Sequence, residues 1–259
     1  MNKKFEFTGE TMVDIFGRTL KRIRALVKIE CGIFTVNPGD LGGWLEKEEN
    51  LSSVGNAWVY GNARVYDDAR VYGNARVYGN AWVYDDARVY DDAWVYDDAR
   101  VCDDAWVCGN ARVCDDARVC DDARVCDDAR VCDDAVVKAP DHVVTIGRIG
   151  SRFDTTTFFR NKEGVIKVKC GCFIGSVDAF LAKVEVTHQD NKHAKVYRLA
   201  AELAKAQIDT TPFTDDPPKK EKKEASFLKK MINNLYGIHA DLNCKCSASE
   251  DITKEEHQN

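Results

Sequence analysis

The chain has 259 residues, 44% of them hydrophobic and 31% charged, with a formal net charge of -6, which is enough material for one elongated domain with caps or two small ones. No window approaches ~18 uninterrupted apolar residues, and the opening MNKKFEFTGETM lacks the apolar stretch of a secretory signal, so the expectation is a non-membrane protein of the cytoplasm. Residues 55–138 hold eighteen Asp against nine Arg and one Lys; so acidic a middle argues against a grip on nucleic-acid phosphates, which needs clustered cations.

Residues 1–50 read as an N-terminal cap. Leu20 to Ile29 has the pattern of a strand, and Asn37 to Trp44 (NPGDLGGW) reads as a glycine-rich turn that delivers Trp44 and Leu45 toward the middle of the chain. From Gly55 the chain then spells Gly/Asp, Asn/Asp, Ala, Arg/Trp, Val, Tyr/Cys fourteen times in succession, and only the last copy, DDAVVK, is degenerate. Residues two apart on an extended chain share a side, so Ala and Val of each copy face inward while Arg/Trp and Tyr/Cys face outward. The first two positions carry residues that tolerate turns and left-handed backbone angles, which makes each hexad a short strand and a corner. Apolar spacing of three and four is missing, so helical repeats are excluded.

These hexads, over roughly residues 51–150, resemble the hexapeptide-repeat left-handed β-helix family. The resemblance implies a mainly β fold, a left-handed parallel β-helix with three hexads per coil. Tyr or Cys after the aliphatic residue departs from the small or acidic residue usual there. Eighteen residues per coil make somewhat under five coils, about 22 Å long at the spacing of paired strands. Register then predicts inner ladders Val59, Val77, Val95, Val113, Val131 and Val65, Val83, Val101, Val119, Val137. A third, Val71, Val89, Val107, Val125, continues into Val143 and, one hexad on, Ile149, so a degenerate last coil is expected to reach Gly150. The stretch KRIRALVKI followed by GDLGGWLEKEENLS resembles the leader before such repeats in uncharacterised bacterial and phage hexapeptide proteins.

Beyond the repeat, residues 151–208 read as a small C-terminal α+β domain. A hairpin of Thr155–Arg160 and Val165–Lys169 turns around residues 161–164, and helices come next at about 177–188 and 192–208, with Ser176 as N-cap and Phe180, Leu181 and Val184 as an apolar stripe. The segment IGSRFDTTTFFR with VKCGCFIGSVDAFLAKV resembles a block of uncharacterised phage-associated proteins. Residues 209–259 read as a linker, a short amphipathic helix at 226–238 and a disordered polar end.

Candidate chemistry is sparse. Many hexapeptide β-helices resemble acyltransferases, whose general base is a His; the repeats contain none, and His142, just past them, is the one candidate. Cys170 and Cys172 with His188 and His193 could make a tetrahedral zinc set, although the spacing is unusual and ordinary half-buried cysteines are the favoured reading. The six repeat cysteines stack in three vertical pairs, Cys102/Cys120, Cys108/Cys126 and Cys114/Cys132, at about disulfide separation, and read as replacements of Tyr that stay free thiols in a reducing cytosol. Asp86, Asp104 and Asp122, with Asp92 and Asp128, form corner columns, read first as a solvated edge and only then as a divalent-cation ladder or an anionic rod imitating nucleic acid. The outward Trp58, Tyr60, Tyr78, Trp82, Trp94, Tyr96 and Trp106 are of types enriched at protein interfaces, weighed against mutual packing along the ladder. The expectation is therefore a non-catalytic binding or scaffolding protein of phage or mobile-element type, with a divergent acyltransferase as the alternative. It needs no cofactor, its partner is a protein of unspecified identity, and homo-oligomerisation stays open.

Overall fold

The computed structural model describes residues 3–14, 17–31 and 34–212. The helix expected at 226–238 and the polar tail lie outside the described residues. From the N-terminus come β1 (Phe5–Val13), β2 (Thr19–Ala25), the small hairpin β3 (Ile29–Cys31) and β4 (Phe34–Val36), and β5 (Leu41–Leu45). Fourteen two-residue strands succeed them, from β6 (Trp58–Val59) to β19 (Val136–Val137). They form three parallel stacks in which each strand pairs with the one eighteen residues on, as in Val59 with Val77 and Val65 with Val83. The fold is thus a mainly β solenoid of three hexads per coil, as the period of six dictates.

Every inward Ala and Val of the repeat is at most 1% exposed. Burying each Val contributes on the order of 1.5 kcal/mol, and the narrow interior has room for one small and one branched side chain per hexad. The corner explains the restricted first position. All fourteen copies hold it in the left-handed region, with φ from 53° to 62° at the nine Asp and 58° to 78° at the five Gly. Gly accepts that angle freely, and Asp is among the few residues that tolerate it.

The structure also accounts for the pairing of Gly with Asn and of Asp with Asp. In several Gly-Asn corners the second residue donates its backbone N–H to the next coil, as from Asn74 to the Asp91 carbonyl at 2.8 Å and from Asn80 to that of Asp97 at 2.8 Å. In Asp-Asp corners the first carboxylate accepts instead from the backbone of the next coil, Asp115 from the Asp133 N–H at 3.1 Å and Asp103 from that of Asp121 at 3.4 Å. Along the second position, Asn amides donate to Asp carboxylates one coil on, as from Asn74 to Asp92 at 3.2 Å and from Asn110 to Asp128 at 3.1 Å.

An open solenoid leaves backbone groups unpaired at each end, and the caps supply them. At the N-terminal end the orphans are carbonyls of the first coil. Trp44 and Glu46 donate backbone N–H groups to Ala63 and Val65, at 2.9 and 3.1 Å, because β5 runs parallel to the first coil. The Lys4 ammonium reaches the Ala57 carbonyl at 2.9 Å, and the Asn50 amide reaches those of Ala69 and Asp67 at 2.9 and 3.0 Å. The expected turn at 37–44 is accordingly half strand. Its glycines serve close approach, since a Cβ on Gly43 would lie 2.6 Å from the Ala63 carbonyl oxygen.

At the other end the expected extra coil does not form. Val143 and Ile149 lie in β20 (Val143–Ile149), which opens an antiparallel sheet with β21 (Asp154–Arg160), β22 (Ile166–Cys170) and β23 (Phe173–Ser176). The physical reason is in the hexad APDHVV: Asp141 would occupy the inward position of alanine, and Pro140 has no N–H at the corner. Helices α1 (Val177–His188) and α2 (Lys192–Gln207) pack on this sheet, with the Ser176 hydroxyl accepting from Ala179 N–H at 3.2 Å. Strand β21 has both faces covered. Phe159 joins the solenoid core, while its neighbour Phe158 joins the core of the helices with Phe180 and Val184.

Candidate functional site

The outer surface of the prism carries the chemistry, and its order comes from the same eighteen-residue register. Three tryptophans each lie between two guanidiniums, one coil above and one below. Arg64 and Arg100 sit 5.0 Å from the Trp82 ring centre, Arg76 and Arg112 sit 4.9 and 4.7 Å from that of Trp94, and Arg88 and Arg124 sit 5.1 and 4.8 Å from that of Trp106. A cation over an aromatic face contributes about 0.5–1 kcal/mol at such sites. The tyrosines stack likewise: Tyr72 on Tyr90 with centroids 4.9 Å apart, Tyr78 on Tyr96 at 4.9 Å, and Tyr66 on Tyr84 at 5.2 Å. Burial pushes the phenols of Tyr78 and Tyr96 above the ordinary tyrosine range.

Of the seven outward aromatics proposed from the sequence, Tyr60, Tyr78, Trp82, Trp94, Tyr96 and Trp106 are half-buried on the prism surface. Trp58 is not outward in any useful sense. It is fully buried under the N-terminal cap, edge-on to Phe5 at 6.5 Å. Tyr66 is buried as well, beneath the Arg18 guanidinium 4.2 Å from its ring centre. The sequence pattern set the direction of these side chains but not what the cap lays over them.

His142 is 7% exposed, and both ring nitrogens face neighbours. Nδ1 accepts the Lys138 backbone N–H at 3.0 Å, and Nε2 lies 3.3 Å from the Arg160 guanidinium. Burial, reinforced by Arg160, holds its pKa below the usual 6.5. The Lys138 N–H belongs to the last coil, so His142 works as a cap there, as does the Thr157 hydroxyl oxygen, which accepts from Arg130 N–H at 3.0 Å. Neither nitrogen points at open space where an acceptor hydroxyl could sit.

The proposed zinc set does not converge. Cys170 is half-buried against Thr156, at 3.3 Å, and the Tyr197 hydroxyl, at 3.8 Å, whereas Cys172 is exposed. His188 and His193 face each other with ring centres 5.8 Å apart. Among the described residues, the sets of three His, Cys, Asp or Glu donors within 4.8 Å of one another are Cys102, Asp103, Cys120 and Cys114, Asp115, Cys132.

The repeat cysteines stand in the vertical pairs that the period predicts. Cys102 is joined to Cys120 and Cys108 to Cys126, with Cα separations of 4.7 and 4.6 Å, and Cys114 and Cys132 are not joined. The spacing between coils falls inside the range that a disulfide spans, so any two cysteines one coil apart at this position are poised to join. Vertical pairing was legible from the period; the different environment of the third pair was not.

Two stretches of the repeat, residues 69–85 and 81–97, match the family model described as the YdcK beta solenoid repeat. The matched YdcK-like copies are those that carry the Tyr84, Tyr90 and Tyr96 rungs together with Trp82 and Trp94. No curated protein matches the chain. No described helix is long and apolar enough to cross a membrane.

Proposed function

We propose that this chain is a non-catalytic interaction scaffold: a rigid prism whose half-buried Tyr, Trp and Arg ranks form the binding surface for a protein partner. The observation that carries this reading is the continuous outer ladder in which Tyr78, Tyr96 and Trp94 lie together, the Tyr78 and Trp94 rings being 6.2 Å apart. Rigid aromatic and guanidinium surfaces bury much area at low entropic cost, which suits a docking face. The leader before the repeat and the block that begins at Ile149 resemble phage-associated sequences, which supports a mobile-element protein working in the cytoplasm. In support of this reading, Cys170, Cys172, His188 and His193 are not among the converging donor sets of the described residues, and His142, the base the acyltransferase alternative would use, serves the cap.

The test is a purification of the tagged full chain from its native host, with partners quantified for the parent and for Tyr78→Ser/Tyr96→Ser. The reading expects one stoichiometric partner that the parent retains and the variant loses, with both proteins equally folded by circular dichroism. Retention by variants on all three faces, or acyl transfer from an acyl thioester that His142→Ala abolishes, would overturn it.

A further inference from the structure

The third cysteine pair differs from the other two in its surroundings. Cys114 and Cys132 come directly after strands in the same parallel register as the joined pairs, Val113 opposite Val131. They line an open cleft of about 340 Å³ where the prism meets the C-terminal sheet. Lys169 reaches this cleft from β22, and Arg112 and Arg130 from the prism, so three cations line it with the carboxylate of Asp115, while Asp154 stands 3.9 Å from Arg130. Cys114 is half-exposed and Cys132 is 2% exposed. The Cys114 thiol lies 3.6 Å from the Asp115 carboxylate, to which it donates. A hydrogen bond from the Cys114 thiol, aided by Lys169, holds Cys132 below the ordinary thiol range, and the same bond with burial pushes Cys114 up.

We propose that Cys114 and Cys132 form a thiol–disulfide exchange site for a small anionic disulfide, which binds in the cationic cleft, reacts first at Cys114 and leaves a third inter-coil disulfide. The exposed sulfur takes the first step because only it is open to the incoming reagent. Cys114 gives its thiol proton to water, and its Sγ attacks one sulfur of the reagent RSSR, forming Cys114–S–SR and releasing RS⁻. The Cys132 thiol then gives its proton to that RS⁻, yielding RSH. Its thiolate attacks Cys114 Sγ, closing the Cys114–Cys132 bond and expelling a second RS⁻. The protein dithiol is oxidised by two electrons and RSSR is reduced to two thiol equivalents. Joined to the two pairs already present, this bond would tie the last coils into one covalent stack beside Tyr96, which also lines the cleft.

The repeat makes the site readable in the intact protein, because trypsin releases Cys132 in VCDDAVVK, a peptide unlike the three identical VCDDAR copies that carry Cys114, Cys120 and Cys126. The full chain is reduced, freed of reductant and treated with oxidised glutathione, neutral hydroxyethyl disulfide or cationic cystamine, each rate being normalised to that of a free cysteine peptide. Oxidised glutathione is expected to close the VCDDAVVK–VCDDAR link roughly tenfold faster than the neutral reagent at low salt, with cystamine slowest. High salt or Lys169→Gln should collapse that order. Cys132→Ser should hold a stable glutathione adduct on a VCDDAR peptide, and Cys114→Ser should leave VCDDAVVK unmodified. The proposal is overturned if Cys132 stays open to alkylation after the other pairs have closed, if it joins the peptides of Cys170 or Cys172, or if the three reagents show no charge order.

Discussion

The coils up to Tyr96 and those from Cys102 onward share one backbone and differ in what joins them on the outside. In the earlier coils phenol rings stack, Tyr72 on Tyr90 and Tyr78 on Tyr96. In the later ones sulfurs pair, Cys102 with Cys120 and Cys108 with Cys126. Hydrogen bonds between coils are the same in both, as in Tyr84 N–H to the Val101 carbonyl at 3.0 Å and Cys102 N–H to that of Val119 at 3.0 Å. The inner Ala and Val do not vary between the two halves, while the outer rung changes from a large aromatic to a small thiol without moving the chain. Stability of the prism therefore resides in the interior and the backbone ladder, and the outer rung is open to other uses.

The largest effect expected from that contrast comes from the interior. Val95→Asp places a carboxylate among Val77, Val113 and the facing alanines, where no donor awaits it. An uncompensated buried charge costs about 3–5 kcal/mol, comparable to much of the stability of a domain this size. Loss of the cooperative thermal transition and of β circular dichroism is the expected result. A folded variant of near-parental stability would show that the interior is not what holds the coils.

An intermediate effect is expected from Trp94→Ala, which removes a ring shared by Arg76, Arg112 and Tyr78. Half-burial and two cation–π contacts together suggest a loss of roughly 2 kcal/mol, read as a lower urea midpoint with the fold intact. Arg76→Met and Arg112→Met, which keep the aliphatic cover, should each lose a smaller part of that amount.

How much of the molecule is legible in its sequence depends on where each constraint lives. A period of six with one residue of each kind per copy fixes the inward set, the corners and the eighteen-residue register, because alternation leaves no other arrangement of Ala57 and Val59. Vertical cysteine pairing comes from the same arithmetic. What stayed hidden depends on contacts with no period. Nothing in the order of residues says that Lys4 and Asn50 reach the first-coil carbonyls, that Phe5 covers Trp58, or that Lys169 stands over Cys114 and Cys132. The register of Val143 and Ile149 pointed to one more coil, but the inward position in that hexad is Asp141, and an unpaired carboxylate there outweighs two well-placed aliphatic residues. A spacing rule counts the favourable positions and gives no weight to the one that forbids.

The C-terminal cap gives a pH-dependent test of the same distinction. The His142 pKa is depressed in the fold by burial and by Arg160, so the fold keeps the ring neutral while an unfolded chain takes up a proton near 6.5. Its contribution is then complete above that pH and is lost as pH falls through 6.5 toward the lower folded value. Urea midpoints should decline from pH 7.5 to 5, and His142→Gln, which retains a side-chain acceptor for Lys138 N–H, should flatten that decline. An unchanged slope in the variant would assign the acid sensitivity to other groups.

The smallest effect expected is also the closest probe of the comparison between the two kinds of rung. Tyr72→Cys/Tyr90→Cys transplants the sulfur pair into the aromatic half at positions with the same register, Val71 opposite Val89. Removing two rings with parallel planes forfeits about 0.5–1.5 kcal/mol of stacking and some apolar cover. Closing an eighteen-residue loop returns about 3 kcal/mol in the ideal limit, and less in practice. Under oxidising conditions the two nearly cancel, so the melting temperature should lie within a few degrees of the parent; after reduction the variant should melt lower, by about the lost stacking and cover together. If the new cysteines fail to join, the coil spacing around Tyr72 differs from that around Cys102, and the sulfur pairs would then reflect a local property of the later coils instead of a consequence of the repeat.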